Sequence, residues 1–169
     1  MGKYMVKASL WKEATMSEFE GSIEVKVPVR TAYNQWTQFE DFPQFMEGVK
    51  ECKQITDTRL RWRAEILGVE REWEAEIDEQ TPDQRIAWDA IDGTTNAGVV
   101  TFHRIDDNLT KVMLQLNVEP EGIVETAGDW LGIWKARVKG DLDRFKEFIE
   151  NRGQETGAWR GEVKQDPTS

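Results

Sequence analysis

From Ser22 the chain alternates apolar and polar positions. In SIEVKV, residues Ile23, Val25 and Val27 fall on one side of an extended backbone and charged neighbours on the other, the pattern of a strand with one buried face. Pro28 then suits the first turn of a helix, and VRTAYNQWTQF carries Ala32, Trp36 and Phe39 at helical spacing. A second short helical piece, EDFPQFMEGV, is interrupted by Pro43. Residues 1–21 hold no sustained period and are read as an N-terminal arm, with a short helix around Leu10 and Trp11.

Six further strands are predicted, over residues 49–56, 60–67, 69–80, 85–91, 96–105 and 110–119. Asp57-Thr58, Gly68, Pro82-Asp83, Asp92-Gly93 and Asp106-Asp107-Asn108 separate them, all residues that bend a backbone readily. Such short connections make neighbours antiparallel. A two-residue turn at Leu67-Gly68 sets Arg59, Arg61 and Arg63 opposite Glu76, Glu74 and Glu72, a ladder of opposite charges on one face. The other face then carries Leu60, Trp62, Ala64 and Ile66 against Ala75, Trp73, Arg71 and Val69, and a slip by one residue drives five acidic groups inward. On that apolar face Arg71 is the exception: a buried guanidinium needs an internal partner or a polar group on a ligand. In the next hairpin a loop over Asp92-Gly93-Thr94 pairs Trp88 with Gly98 and Ile86 with Val100, and turns Asn96 inward. The last strand sends Val112, Leu114, Leu116 and Val118 to the same interior.

After Pro120 comes the longest helical pattern. Val124, Leu131, Trp134, Val138, Leu142, Phe145 and Ile149 form an apolar stripe, and Gly153 is a stop signal. Gly128, Gly132 and Gly140 each cost about 1 kcal/mol relative to alanine, so the helix needs burial against the sheet. The expected fold is α+β: a curved antiparallel sheet of about seven strands around a long C-terminal helix, with two short helices after the first strand. Its domain spans residues 22–153, and residues 154–169 form a tail expected to be loose apart from an anchor at Trp159.

Composition narrows the function classes. A chain of 169 residues suffices for one domain with a sizeable core. It carries no apolar run long enough to span a bilayer and no secretory signal, so a cytoplasmic location is the default expectation. Acidic residues exceed basic ones, giving a net charge of −10 that disfavours nucleic acid and anionic membranes as partners. One cysteine, Cys52, and one histidine, His103, leave no disulfide framework and no zinc constellation, and neither a metal nor a cofactor is expected. Eight tryptophans and seven phenylalanines supply the stiff apolar surfaces that line organic-ligand pockets or fill a core.

Three stretches, SIEVKVPVRTAYNQWTQFEDFPQFMEGV, RIAWDAIDGTTNAGVVTFHRI and GDLDRFKEFIENRG, resemble the bacterial polyketide cyclase/dehydrase branch of the START-like, or SRPBCC, superfamily, across roughly residues 22–161. That resemblance implies a helix-grip fold with a deep cavity between sheet and helix, suited to a polycyclic, quinone-like or lipid-like molecule. It does not imply one activity, because this branch mixes enzymes with binders. A cyclase needs a group to move a proton and another to stabilise the enolate. By strand parity His103 points outward, and no catalytic residue is assigned. The candidate ligand-binding set is Trp62, Arg71, Trp73, Trp88, Asn96, Val100, Leu116, Trp130 and Trp134. Three readings stay open: a binder of a hydrophobic or aromatic molecule, a polyketide cyclase, aromatase or dehydratase, and a protein-interaction module of the quinone-chaperone or toxin-like type. Oligomeric state is not readable from the sequence.

Overall fold

Alternating patterns become strands in the computed structural model, which describes residues 17–66, 68–92, 96–118 and 127–164. In chain order the elements are β1 (Ser17–Val25), α1 (Val29–Trp36), a 3₁₀ helix (Phe39–Gln44), β2 (Val49–Gln54), β3 (Arg59–Ile66), β4 (Val69–Thr81), β5 (Arg85–Ala90), β6 (Asn96–Asp106), β7 (Leu109–Val118) and α2 (Ala127–Arg152). The strands form one antiparallel, curled sheet in the order β1-β7-β6-β5-β4-β3-β2. Consecutive strands are neighbours except at β1, which closes back onto β7. Helix α2 lies across the inner face.

Register follows the charge pattern. Arg59, Arg61 and Arg63 stand opposite Glu76, Glu74 and Glu72, and Ala64 faces Arg71. The ion pairs also run diagonally: Arg59 reaches Glu76 at 2.8 Å and Glu74 at 3.5 Å, Arg61 reaches Glu74 at 3.6 Å, and Arg63 reaches Glu70 at 3.2 Å. Each rung of such an exposed ladder contributes about 0.2–1 kcal/mol. Its larger effect is to fix which face is wet. Trp88 pairs with Gly98, and Ile86 with Val100.

β1 begins at Ser17, five residues before the alternation becomes visible. Phe19 already points inward, buried and stacked on Trp134 with ring centroids 5.9 Å apart. The inward position between Phe19 and Ile23 is Gly21, whose missing side chain erases the period in the sequence. Space is the reason for the glycine: a Cβ there would lie 2.8 Å from Val138 and 3.0 Å from Leu142 of α2. Trp134, Val138, Leu142, Phe145 and Ile149 of the helix are all buried, as their spacing requires. Val124 lies outside the described residues, as does the side chain of Leu131.

The interior has two halves. At one end Trp36, Phe39, Phe42, Phe45 and Phe145 meet edge to face or tilted, with centroids 5.2–6.1 Å apart, and close the space between α1, the 3₁₀ helix and α2. Residues 154–164 cover this end and are tied to it, where the sequence suggests a loose tail. Arg160 holds Asp83 through two bonds of 2.9 Å, Gln35 and Thr156 exchange bonds of 2.9 and 3.1 Å, and Val163 forms a β-bridge with Gln80. Trp159 is an anchor through its backbone N–H, which donates to Thr37 Oγ1 at 3.1 Å. These bonds are why Asn34 and Gln35, polar residues of α1, are buried.

Candidate functional site

The other half of the interior is hollow. Between α2 and the ends of β3 to β7 nearest the β3–β4 turn lies a cavity of about 110 Å³. Its walls follow from strand parity. Trp62 and Ala64 project from β3, Trp73 from β4, Trp88 from β5, Asn96 from β6, and Leu114, Leu116 and Val118 from β7. Trp134, Arg137 and Asp141 enter from the helix, and Met46, Glu47 and Val49 from the segment leading into β2.

Trp62 and Trp73, cross-strand partners, stack with centroids 6.0 Å apart and planes 6° from parallel. Phe42 buttresses Trp62 at 5.8 Å from the packed end. The indole nitrogens of Trp62 and Trp73 are buried without a hydrogen-bond partner among the described residues. Trp88 lies flat over Gly98, where a Cβ would come within 2.2 Å of the ring, so glycine is what admits the indole.

Polar groups gather on one side, between α2 and the segment before β2. Arg137 donates from Nη1 to the carbonyls of Glu47 and Glu65 at 3.1 and 3.2 Å, and its guanidinium sits 6.0 Å from the Trp134 ring. Asp141, 13% exposed, accepts from the Glu47 N–H at 2.9 Å and from Arg144 at 2.5 Å. Burial pushes the Asp141 carboxyl above its ordinary range, opposed by the Arg144 and Glu47 hydrogen bonds and by the charges of Arg144 and Arg137. Arg144 also reaches the Glu47 carboxylate at 3.5 Å and the Phe45 carbonyl at 3.0 Å. The result is an apolar, indole-walled chamber with one charged rim, able to desolvate a flat molecule and address an oxygen on it.

Residues 25–149 match the sequence model of the polyketide cyclase/dehydrase and lipid transport family. The chain belongs to that family. A 17.2 kDa uncharacterized protein from the melC2–rnhH intergenic region of Streptomyces lincolnensis is 60% identical over 149 residues, covering 88% of this chain and 99% of that protein. Among solved structures, the Zhui aromatase/cyclase of Streptomyces sp. R1128 superposes with a TM-score of 0.68 at 12% identity, over 85% of this chain and 99% of that one. A START superfamily protein from Mycobacterium smegmatis gives 0.63 at 18% identity, over 82% and 96%. At these identities the structural likeness is one of fold.

In this polyketide cyclase/dehydrase family member the nine sequence-predicted site residues divide. Six of them, Trp62, Trp73, Trp88, Asn96, Leu116 and Trp134, line this cavity together. Val100 points inward as expected but is fully buried in the packed core and is not among the described lining residues. Arg71 stands half-buried opposite Ala64 and is likewise not among them. Trp130 belongs to α2, and its side chain lies outside the described residues. His103 is exposed on the outer face, 3.1 Å from Thr101 Oγ1. Cys52 is buried, and that burial, with the charges of Glu40 and Glu51, pushes its thiol well up. Arg137, Asp141 and Glu47 line the cavity without being among the sequence-predicted residues. A signal for two of them existed, since Arg137 and Asp141 follow Trp134 by three and seven residues and so share its side of the helix.

No helix among the described residues is long and apolar enough to cross a membrane. Among the same residues no three His, Cys, Asp or Glu side chains converge as a metal site.

Proposed function

We propose that the chain binds a small aromatic or otherwise apolar molecule in the cavity between sheet and helix. The observation that carries this reading is the hollow itself: Trp62, Trp73, Trp88 and Trp134 wall an unfilled space in a protein whose other half is closely packed. A native interior rarely leaves such a space without use. The family's description, which covers cyclases, dehydrases and lipid transport, agrees with an apolar guest. Native mass spectrometry of protein purified from its own host tests the reading. A reproducible added mass, released on denaturation, is expected. Bare protein, with no quenching of tryptophan emission by aromatic probes added afterwards, would overturn it.

A specific observation favours a second reading, a cyclase, aromatase or dehydratase acting on a bound poly-keto chain. Asp141 is a carboxylate at the wall of the cavity with its affinity for protons raised by burial, and Arg137 is a cation one helical turn away. Together they supply a proton acceptor and a partner for enolate charge. The Zhui aromatase/cyclase shares the fold. Under this reading Asp141→Asn lowers turnover of a poly-keto substrate analogue at least ~100-fold, the scale of one general base, while leaving its binding intact. Equal turnover in both proteins removes Asp141 from catalysis. The interaction-module reading finds less support, because the outer faces of β3 and β4 carry a charge ladder in place of an apolar patch.

A further inference from the structure

Four ionic groups meet at the rim of the cavity, two guanidiniums and two carboxylates, and three of them are in direct contact. Arg144 lies 2.5 Å from the Asp141 carboxylate and 3.5 Å from that of Glu47. Arg137 stands apart: it lines the cavity half-buried, yet among the described residues no carboxylate lies within 4.0 Å of it. Among the described residues its hydrogen bonds run from Nη1, to the backbone carbonyls of Glu47 and Glu65. These carbonyls hold the side chain in place without cancelling its charge. A guanidinium fixed beside apolar walls with no carboxylate in direct contact costs desolvation energy that an incoming anion recovers.

We propose that the ligand carries an anionic oxygen, a carboxylate or an ionised phenol or enol, that pairs with Arg137 while its ring lies among the indoles. This rests on the reading of the cavity as a binding site and narrows the guest to aromatic acids and acidic phenols. Size narrows it further. At about 110 Å³ the space is of the same order as the ~150 Å³ apolar cavity that takes up benzene, so a single ring is what fits as the cavity stands. The carboxylates of Asp141 and Glu47 do not turn such a guest away, because Arg144 is directed at both.

The test compares benzoate with benzamide, a neutral molecule of the same shape, by titration calorimetry. The wild-type protein is expected to prefer the acid by roughly ten-fold or more, the scale of one charge-assisted hydrogen bond. Arg137→Gln should lose that preference while still binding the amide, and Arg137→Lys should retain part of it. A purely structural clamp would change both ligands alike. Should Arg137→Gln not fold, the wild-type comparison and Arg137→Lys still decide. Equal wild-type affinity for both molecules, or an undiminished preference in Arg137→Gln, overturns the inference and leaves the cavity a neutral binder. Absence of binding by either molecule overturns the aromatic-guest reading and this inference with it.

Discussion

Single atoms decide whether the cavity stays open. Trp88 occupies the surface that a side chain at Gly98 would need, with Cζ2 2.2 Å from where a Cβ would be built. Gly98→Ala therefore forces the indole off its strand and into the hollow; overpacking of this kind costs roughly 1–3 kcal/mol. Urea denaturation should show the loss, and near-ultraviolet circular dichroism should show a changed tryptophan environment. A second residue-scale effect sits on the outer face. Asp78, at the bulge between Ile77 and Glu79, has its carboxyl pushed up to about 7 by burial, by a shared hydrogen bond with Asp89, and by the charges of Asp89 and Glu76. The folded protein thus keeps a proton that the unfolded chain releases near 3.8. Folding then takes up a proton between those values, so this group's contribution to stability falls as pH rises from about 4 to about 7 and stays low above. Asp78→Asn should flatten that part of the stability profile and exceed the wild type in urea midpoint at pH 8. A midpoint difference that does not change between pH 4.5 and 8 would contradict the assignment.

Elements grip each other through matched size. Helix α2 approaches β1 closely because Gly21 is bare, and Val138 and Leu142 settle over it. Gly21→Val should lever the helix from the strand and lower stability by roughly 1–3 kcal/mol, with Gly21→Ala intermediate; hydrogen exchange should quicken in β1 before it quickens in β4 or β5. The same glycine shows why part of the fold was unreadable beforehand. A period-2 signal needs a side chain at each inward position, so Phe19 alone beyond Gly21 leaves no visible alternation and the pattern starts the strand at Ser22. The β3–β4 register, by contrast, was written in charge: only one alignment puts Arg59, Arg61 and Arg63 against glutamates and keeps Trp62 and Trp73 together. Indoles at the cavity were legible for the same reason, being large residues at inward parity. Arg137 and Asp141 were not, because a charged residue beside a helical stripe ordinarily faces water. What brings them to the wall is the 46–49 segment folded against the helix, a contact between residues some ninety positions apart.

At the scale of the whole molecule the chain spends its two ends differently. The sheet and helix enclose one packed end and one hollow end, and the segment after Gly153 is committed to the packed one. That commitment is built from polar side chains, which is why no apolar period announced it: Arg160 with Asp83 and Asn34, Thr156 with Gln35 and Asp41, Asn34 with Glu155. Arg160 also lies 5.5 Å over the ring of Tyr33, itself fully buried. A paired guanidinium that also covers an aromatic ring contributes more than a surface ion pair, since removing it both breaks charge-assisted bonds and wets apolar area. Truncation after Gly153 should therefore cost roughly 2–4 kcal/mol and lower the Tm by roughly 5–15 °C. Because residues 154–164 form a strap over the end opposite the cavity, the truncated protein, at temperatures where it remains folded, should bind an aromatic probe with the affinity of the full chain. Arg160→Met should reproduce part of the Tm loss. A truncated chain that keeps the full Tm would show that the strap adds nothing to stability. One that keeps its Tm but loses the probe would place the strap's influence on the ligand-binding end instead.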